Sequence, residues 1–287
     1  MDIFKQITNL LKLRIGVIMM LTALVAMMVT PGQTLNGMQI LVLAFAVLIS
    51  AGSAGAFNQY FEIDLDSVMP RTKDRPFVTG RFQKSPLWIL FMLALLGAGV
   101  GSAALFLNGA AALYIFLGAF FYAIVYTVLL KRRTWMNIVI GGASGSFAVL
   151  AGAAAVDPDL SPIPILLALV LFFWTPSHFW SLAIAKHQDY AKAGVPMLPV
   201  VICDQRTAVV VLGNTLILVG ISVLPFFYGL SWLYLAGAVS GGGYFIYQNI
   251  KMISEPTAKV AMKRFFASLV QLVFLLGGAF LDVLLLG

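Results

Sequence analysis

Residues Asn58 to Gly80 read NQYFEIDLDSVMPRTKDRPFVTG, and this stretch decides how the rest of the chain is read. Long apolar runs lie on either side of it, while here Glu62, Asp64 and Asp66 are followed at once by Arg71, Lys73 and Arg75. Asn58, Glu62 and Asp66 recur every four residues, so a helix carries them as one polar stripe. Asp64 falls between them and points roughly the other way. Pro70 then stops the helix. Oxygen side chains on one helical face at a membrane surface are costly without a partner. The partner that fits is a hard divalent ion, Mg2+, which usually takes one or two protein carboxylates and completes its octahedron with substrate phosphate and water. The adjoining bases then suit a phosphorylated substrate. A plain charged loop between membrane helices is the alternative, and the four-residue spacing argues against it.

Outward from this stretch, composition sets the class. Of 287 residues 61% are hydrophobic and 10% charged, with mean hydropathy +0.98, whereas soluble domains carry about 25% charged residues. The chain reads as an all-α, polytopic membrane protein. A spanning helix needs about 20 mostly apolar residues. On that basis nine spans are expected, over 15–30, 38–58, 86–107, 109–130, 135–155, 162–186, 207–229, 232–250 and 265–285. The links at Asn108-Gly109 and Tyr228-Gly229 are the weakest divisions. The chain shows no soluble domain or linker, so residues 1–287 form one transmembrane domain.

The net charge of +7 is topology rather than a nucleic-acid surface. Numbering the gaps alternately, one side receives the N-terminus, 59–85, 131–134, 187–206 and 251–264, and with the adjoining helix ends these hold all 18 Lys and Arg, Lys12 and Arg264 included. The other side holds only Asp157, Asp159 and Asp282. The positive-inside rule places the basic side in the cytoplasm. An odd helix count then leaves the C-terminus outside. The start, MDIFKQITNLLKLR, lacks the pattern of a signal or transit peptide, which favours a bacterial plasma (inner) membrane. Ile3, Phe4, Ile7, Leu10 and Leu11 suit a short amphipathic helix on its surface. Cys203, the single cysteine, excludes an intramolecular disulfide framework. The runs SAGSAGA at 50–56 and GGASGSFAVLAGAAA at 141–155 let helix backbones approach closely.

A second polar concentration is WTPSHFWSLAIAKHQDYAKAGVPMLP at 174–199. His178 lies inside an apolar helix, roughly two turns before its end. Lys186 closes that helix, and Asp189 and Tyr190 follow in the loop. An ionisable residue within a membrane helix suggests function; a neutral imidazole bonded to Ser181 or to a neighbouring helix is the plainer reading. Tyr190 and Trp180 could equally be interfacial anchors. Lys131, Arg132 and Arg133 either anchor a helix end or neutralise a diphosphate presented from the first loop.

The order Asn58, Glu62, Asp66, Arg71, Thr72, Arg75, Gly80 resembles the signature of the UbiA-type superfamily of intramembrane aromatic prenyltransferases. NQYFEIDLDSVMPRTKDRP and HFWSLAIAKHQDYAKAGVPMLPV are closer still to its haem branch. The resemblance also takes in Tyr126, Lys131 to Arg133 and Asn137 to Gly142, and so covers most of residues 12–200. Many superfamily relatives carry a second aspartate pair in the second loop; here only Asp189 is present. The resemblance implies a UbiA-type helical bundle and farnesyl diphosphate and haem B as substrates. A haem vinyl group attacks the farnesyl carbon, and water then adds to give haem O. It implies Mg2+ held by Asn58, Glu62 and Asp66, and catalytic roles for these with Asp189 and Tyr190. Diphosphate contacts fall to Arg71, Lys73, Arg75, Lys131, Arg132 and Lys186, and a haem contact to His178. The lipid bilayer is the setting, and a haem-copper oxidase assembly or a haem A synthase is the implied protein partner. Prenyl transfer to a quinone-type ring would call for the absent aspartate pair. A transporter would show charge buried in several helices or paired broken helices. A structural subunit would have no use for the stripe.

Overall fold

A computed structural model describes residues 3–286 of the chain, with side chains from Lys5 to Leu286. The side chains of Ile3 and Phe4 lie outside the described residues. Every regular element among the described residues is a helix. The N-terminal α1 (Ile3–Leu10) turns at Leu11-Lys12 into α2 (Leu13–Val29). Then come α3 (Gly37–Phe61), the short α4 (Ile63–Val68) and α5 (Pro86–Phe106). Next is α6 (Gly109–Phe120), which continues as a π-helical stretch over Phe121–Leu130. A pair, α7 (Asn137–Gly141) and α8 (Ala143–Val156), precedes α9 (Pro162–Ala185). Two short helices, α10 (His187–Lys192) and α11 (Leu198–Ile202), lead to α12 (Asp204–Val223), α13 (Trp232–Ser254) and α14 (Ala258–Leu286).

The starts follow local chemistry. Asn36 forms a capping box with Gln39, and Asn108 accepts from Ala111 N at 2.8 Å, supplying donors that the first turn leaves orphaned. Asn108 thus makes the weak 107–109 division a real one. The other weak division is a 3-10 turn over Leu224–Tyr228, ended by Gly229 at φ 122°. Asp282 secures that corner by accepting from Ser231 N (3.0 Å) and Tyr234 N (3.1 Å).

Seven of the nine expected spans are, among the described residues, helices long and apolar enough to cross a membrane. The two that fall short have different reasons. Leu13–Val29 has 17 residues, or about 26 Å of rise, under a full hydrocarbon thickness. Trp232–Ser254 is long enough, but Ser240 to Gly243, Gln248, Asn249 and Lys251 dilute its apolar face. Both nonetheless pack along the seven, α2 against α3 and α8, and α13 against α12 and α14.

Hydrogen bonds sort the connections into two ends. At one, Gln33 Nε2 donates to Ala155 O, Gln39 Nε2 to Phe106 O and Asn108 Nδ2 to Ala154 O. At the other, Gln59 Nε2 donates to Asn9 O, Lys131 reaches Glu62, and Gln205 Nε2 donates to Ile253 O. This is the division of gaps that the Lys and Arg distribution implies. The small-residue runs do pack: a Cβ added at Gly152 would lie 1.9 Å from Ala23 O, so only glycine lets α8 lie against α2.

Candidate active site

The polar stripe survives a break in its helix. Helix α3 stops at Phe61, Glu62 takes φ −100° and ψ 24°, and α4 resumes. Glu62 N still bonds Asn58 O at 3.0 Å and Asp66 N bonds Glu62 O at 2.8 Å, so the i, i+4 register holds and the three side chains share a face. All three are buried, with relative exposures of 2%, 1% and 3%. Helix α4 ends at Val68, just ahead of Pro70.

Basic side chains from three separate segments neutralise the stripe. Lys131, at the end of the π-helical stretch, reaches Glu62 Oε2 at 2.5 Å. Arg75 reaches Asp66 Oδ2 at 2.5 Å. Lys12 donates to Asn58 Oδ1 at 2.6 Å and to Tyr122 Oη at 2.9 Å. Asn58 Nδ2 in turn donates to Thr127 Oγ1 at 3.0 Å. Burial drives the Lys12 ammonium well below the ordinary amine range, with Arg75 and Lys131 adding to the effect and Glu62 and Asp66 opposing it. Burial likewise pushes the Asp66 carboxyl above its usual range, while Arg75 pulls it back down. The site is therefore a compact cluster of opposed charges held away from water, where each interaction is stronger than at the surface.

Lys12, Tyr122 and Thr127 are the residues that sequence reasoning missed. In the sequence Lys12 reads as one of the topological charges. It enters the site because the α1–α2 turn gives it a left-handed backbone, φ 48° and ψ 42°, a conformation that costs energy outside glycine. Gly55 makes room for that turn, since a Cβ there would come within 3.3 Å of Leu11 O and Lys12 Cβ. Tyr122, Tyr126 and Lys131 lie four and five apart, and the rings of Tyr122 and Tyr126 stack at 5.7 Å. That spacing was the one available signal for Tyr122.

The remaining candidates divide. Asp64 points away from the stripe as its register requires, and Arg132 grips it with bonds of 2.6 and 2.7 Å on the exposed side. That grip holds the Asp64 carboxyl below its ordinary range. Arg132 is thus turned from the buried cluster. Arg71 and Arg75 line a cavity of about 430 Å³ with Arg81, Thr72 and Asn9. Lys73 is exposed on the same turn. From the second loop, buried Tyr190 packs with Leu65 and Met69 of the first. Burial raises its hydroxyl above the usual phenol range, with Arg71 acting against it. Tyr190 is therefore a buried neighbour of the first loop and not an interfacial anchor, and Trp180 is buried in the same cluster. Lys186 and Asp189 are half-buried beside it, and a second cavity, of about 370 Å³, runs between Asp64 and Lys192. His187 Nδ1 meets Asp204 Oδ1 at 2.7 Å.

His178 lies elsewhere. Its Nδ1 is 2.6 Å from Ser268 Oγ on α14, and its ring lies between Trp174 at 4.3 Å and Phe265 at 4.2 Å. The bonded imidazole of the plainer reading is what the structure contains, with a neighbouring helix and not Ser181 as partner.

The stripe fits a divalent ion by its donors. Among the described residues no three His, Cys, Asp or Glu side chains converge as a metal centre. Glu62 Oε1, however, is buried with no hydrogen-bond partner. An orphaned carboxylate oxygen beside Asn58 and Asp66 suits Mg2+, which needs few protein ligands when phosphate supplies the rest.

Comparison with known proteins agrees with this architecture. Structures of digeranylgeranylglyceryl phosphate synthase (TM-score 0.81, 18% identity, 99% of each chain) and of a UbiA homologue from Archaeoglobus fulgidus bound to DMAPP and Mg2+ (TM-score 0.72, 15% identity, 98% of this chain and 100% of that one) share its fold. Protoheme IX farnesyltransferase 2 of Paramagnetospirillum magneticum is 54% identical, covering 99% of this chain and 98% of that protein. Protoheme IX farnesyltransferase of Alkalilimnicola ehrlichii is 39% identical over 97% and 92%. The model of the UbiA prenyltransferase family matches residues 19–270, and with relatives this similar from end to end the chain belongs to that family.

Proposed function

We propose that this enzyme transfers the farnesyl group of farnesyl diphosphate to a vinyl group of haem B, giving haem O. The observation that carries this reading is 54% identity, over nearly the whole of both chains, to a protein named protoheme IX farnesyltransferase. The second loop supports it, because Tyr190 and a lone Asp189 stand where a quinone-ring prenyltransferase would be expected to hold an aspartate pair.

The chemistry needs a leaving group made good and a cation kept dry. The farnesyl C1–O bond breaks with its electrons going to pyrophosphate. The vinyl π pair then forms the new C–C bond, and water adds to the resulting cation with loss of a proton. Asn58, Glu62 and Asp66 would hold Mg2+, which when bound offsets the negative charge of the diphosphate. Arg75 and Lys131, already aimed into the cluster, serve the diphosphate with Lys12, and Arg71 and Lys73 approach from the cavity side. Positioned cations of this kind act most strongly where water is excluded. Arg132 is committed to Asp64 and contributes least, while Lys186 borders the second loop. The farnesyl tail lies among the apolar helices, gaining about 0.8 kcal/mol per buried CH2. Tyr190 and Asp189 face the acceptor side, and His178 is the haem-side residue on α9. The whole chain works as one domain in a bacterial inner membrane, with its basic loops cytoplasmic and its C-terminus external.

An acceptor competition tests the reading. Purified protein given labelled farnesyl diphosphate, Mg2+, haem B and a hydroxybenzoate-type aromatic should place the label on haem. Label on the aromatic with haem untouched would refute it.

A further inference from the structure

Arg264 is a charge that the site described above does not use. It stands in the second turn of α14 with no surface exposure, in a helix otherwise apolar enough to span a membrane. One Nη donates to Ser181 Oγ and lies 3.8 Å from Met252 Sδ, and the guanidinium sits 5.3 Å from the centre of the Phe245 ring. Its Nε and other Nη have no partner among the described residues. The four ion pairs found among those residues do not include it. A guanidinium desolvated without a counter-ion is strongly unfavourable, so packing gives no reason for an arginine here.

The neighbours are unsatisfied in the same way. Phe245, Asn249 and Met252 fall on one face of α13, and the outer two touch Arg264. Asn249 lies between them with its Oδ1 buried and unpartnered. Arg264, Ser268 and Gln271 fall on one face of α14, and both amide atoms of Gln271 are buried without partners. Ser268 bonds His178, one turn from Ser181 on α9. The result is a buried polar patch with spare donors on Arg264 and Gln271, one full positive charge and no ion pair to it among the described residues.

We propose that Arg264 is the counter-ion for a propionate carboxylate of the tetrapyrrole acceptor, with the unpartnered Gln271 Nε2 donating a further hydrogen bond to it. This rests on the haem reading above. On that reading farnesyl diphosphate has its anionic end at the first-loop cluster, where Lys12 bonds Asn58, Arg75 bonds Asp66 and Lys131 bonds Glu62, whereas Arg264 bonds Ser181 on α9. Haem B carries its carboxylates on the edge away from its vinyl groups. A vinyl presented to the first loop therefore directs the propionates away from the diphosphate, and Arg264 is connected to that region along α9 through Ser181. Met252, a flexible side chain with three rotatable bonds, is the group that must move to admit the carboxylate.

The test is a titration of purified protein with haem B and with its dimethyl ester, followed by absorbance, and with inorganic pyrophosphate plus Mg2+, followed by calorimetry. Wild type should prefer the free acid by about tenfold to a hundredfold, the range of a charge-assisted hydrogen bond. Arg264→Met should abolish that preference and leave pyrophosphate binding unchanged, and Arg264→Lys should keep part of it. Equal binding of acid and ester by wild type overturns the pairing, as does a preference that survives Arg264→Met. Loss of pyrophosphate binding in step with haem binding also overturns it. If Arg264→Met does not fold, Arg264→Lys carries the test, and an undiminished preference for the free acid in that variant overturns the pairing. Wild type binding neither tetrapyrrole would overturn the haem reading and the pairing together.

Discussion

Replacing Lys131 by Met strands Glu62, and the structure fixes what that costs. The two side chains are 14% and 1% exposed, at 2.5 Å. Removing one partner of a buried pair costs about 3–5 kcal/mol because it leaves an uncompensated charge. Lys131 keeps some contact with solvent, and Arg75 and Lys12 share its field, so a value at or just below that range, about 2–3 kcal/mol, is expected. For a chain of this size that is a fall in Tm of roughly 5–10 °C. Adding Glu62→Gln should recover most of it, since the stranded charge is then gone. Raising Mg2+ should also raise the Tm of Lys131→Met more than that of wild type, because the freed carboxylate can bind the cation and binding stabilises by mass action. Thermal unfolding in detergent, with Mg2+ titrated, measures all three. The exposed Arg132–Asp64 pair is the control, and Arg132→Ala should cost less than about 1 kcal/mol. An unchanged Tm in Lys131→Met, with no recovery in the double variant, would refute the reasoning.

The other predictions concern the rest of the cluster and the packing. Lys12→Met should slow farnesyl transfer about tenfold to a hundredfold, the loss of one charge-assisted contact, while Tm changes little because the desolvation of a buried ammonium is relieved; single-turnover rates beside melting curves check this. Burial raises Asp66 above the usual carboxylate range, and its protonated form binds no cation. The acid limb of Mg2+ binding to the metal-free protein should therefore lie above that of an ordinary aspartate. Arg75→Gln, which removes the charge holding Asp66 down, should move the limb further up; a downward shift in the pH profile would contradict this. Gly152→Val, which drives a side chain into Ala23 O, should destabilise by about 3 kcal/mol or more, read as loss of folded protein in detergent.

The helices and their grouping into two ends were legible because a membrane demands long apolar runs and sorts Lys and Arg to one side. Asn58, Glu62 and Asp66 were legible because their spacing outlasts the kink at Glu62. What the linear pattern could not carry was the partner of each charge. In the linear pattern Lys12 and Arg264 both read as topology, yet one is folded into the carboxylate cluster by a left-handed turn that Gly55 admits, and the other is buried between α9, α13 and α14. Arg132 adjoins Lys131 in sequence, but a helix end separates their directions, one into the site and one out to Asp64. Of the nine expected spans, the two that fall short by length or apolarity are Trp232–Ser254, where apolarity is diluted, and Leu13–Val29, where the helix is short.

If the carboxylate and cation cluster drives farnesyl transfer to a haem vinyl group, the product must form only when the cluster and its cation are intact. The most direct measurement is mass analysis of haem recovered after incubating the purified protein in bilayers with haem B, farnesyl diphosphate and Mg2+, with a parallel sample in EDTA and another of Asp66→Ala. The first sample should yield a haem heavier by one farnesyl and one hydroxyl group, and the other two unchanged haem. Unmodified haem in the first sample, or the same heavier haem in all three, would contradict it.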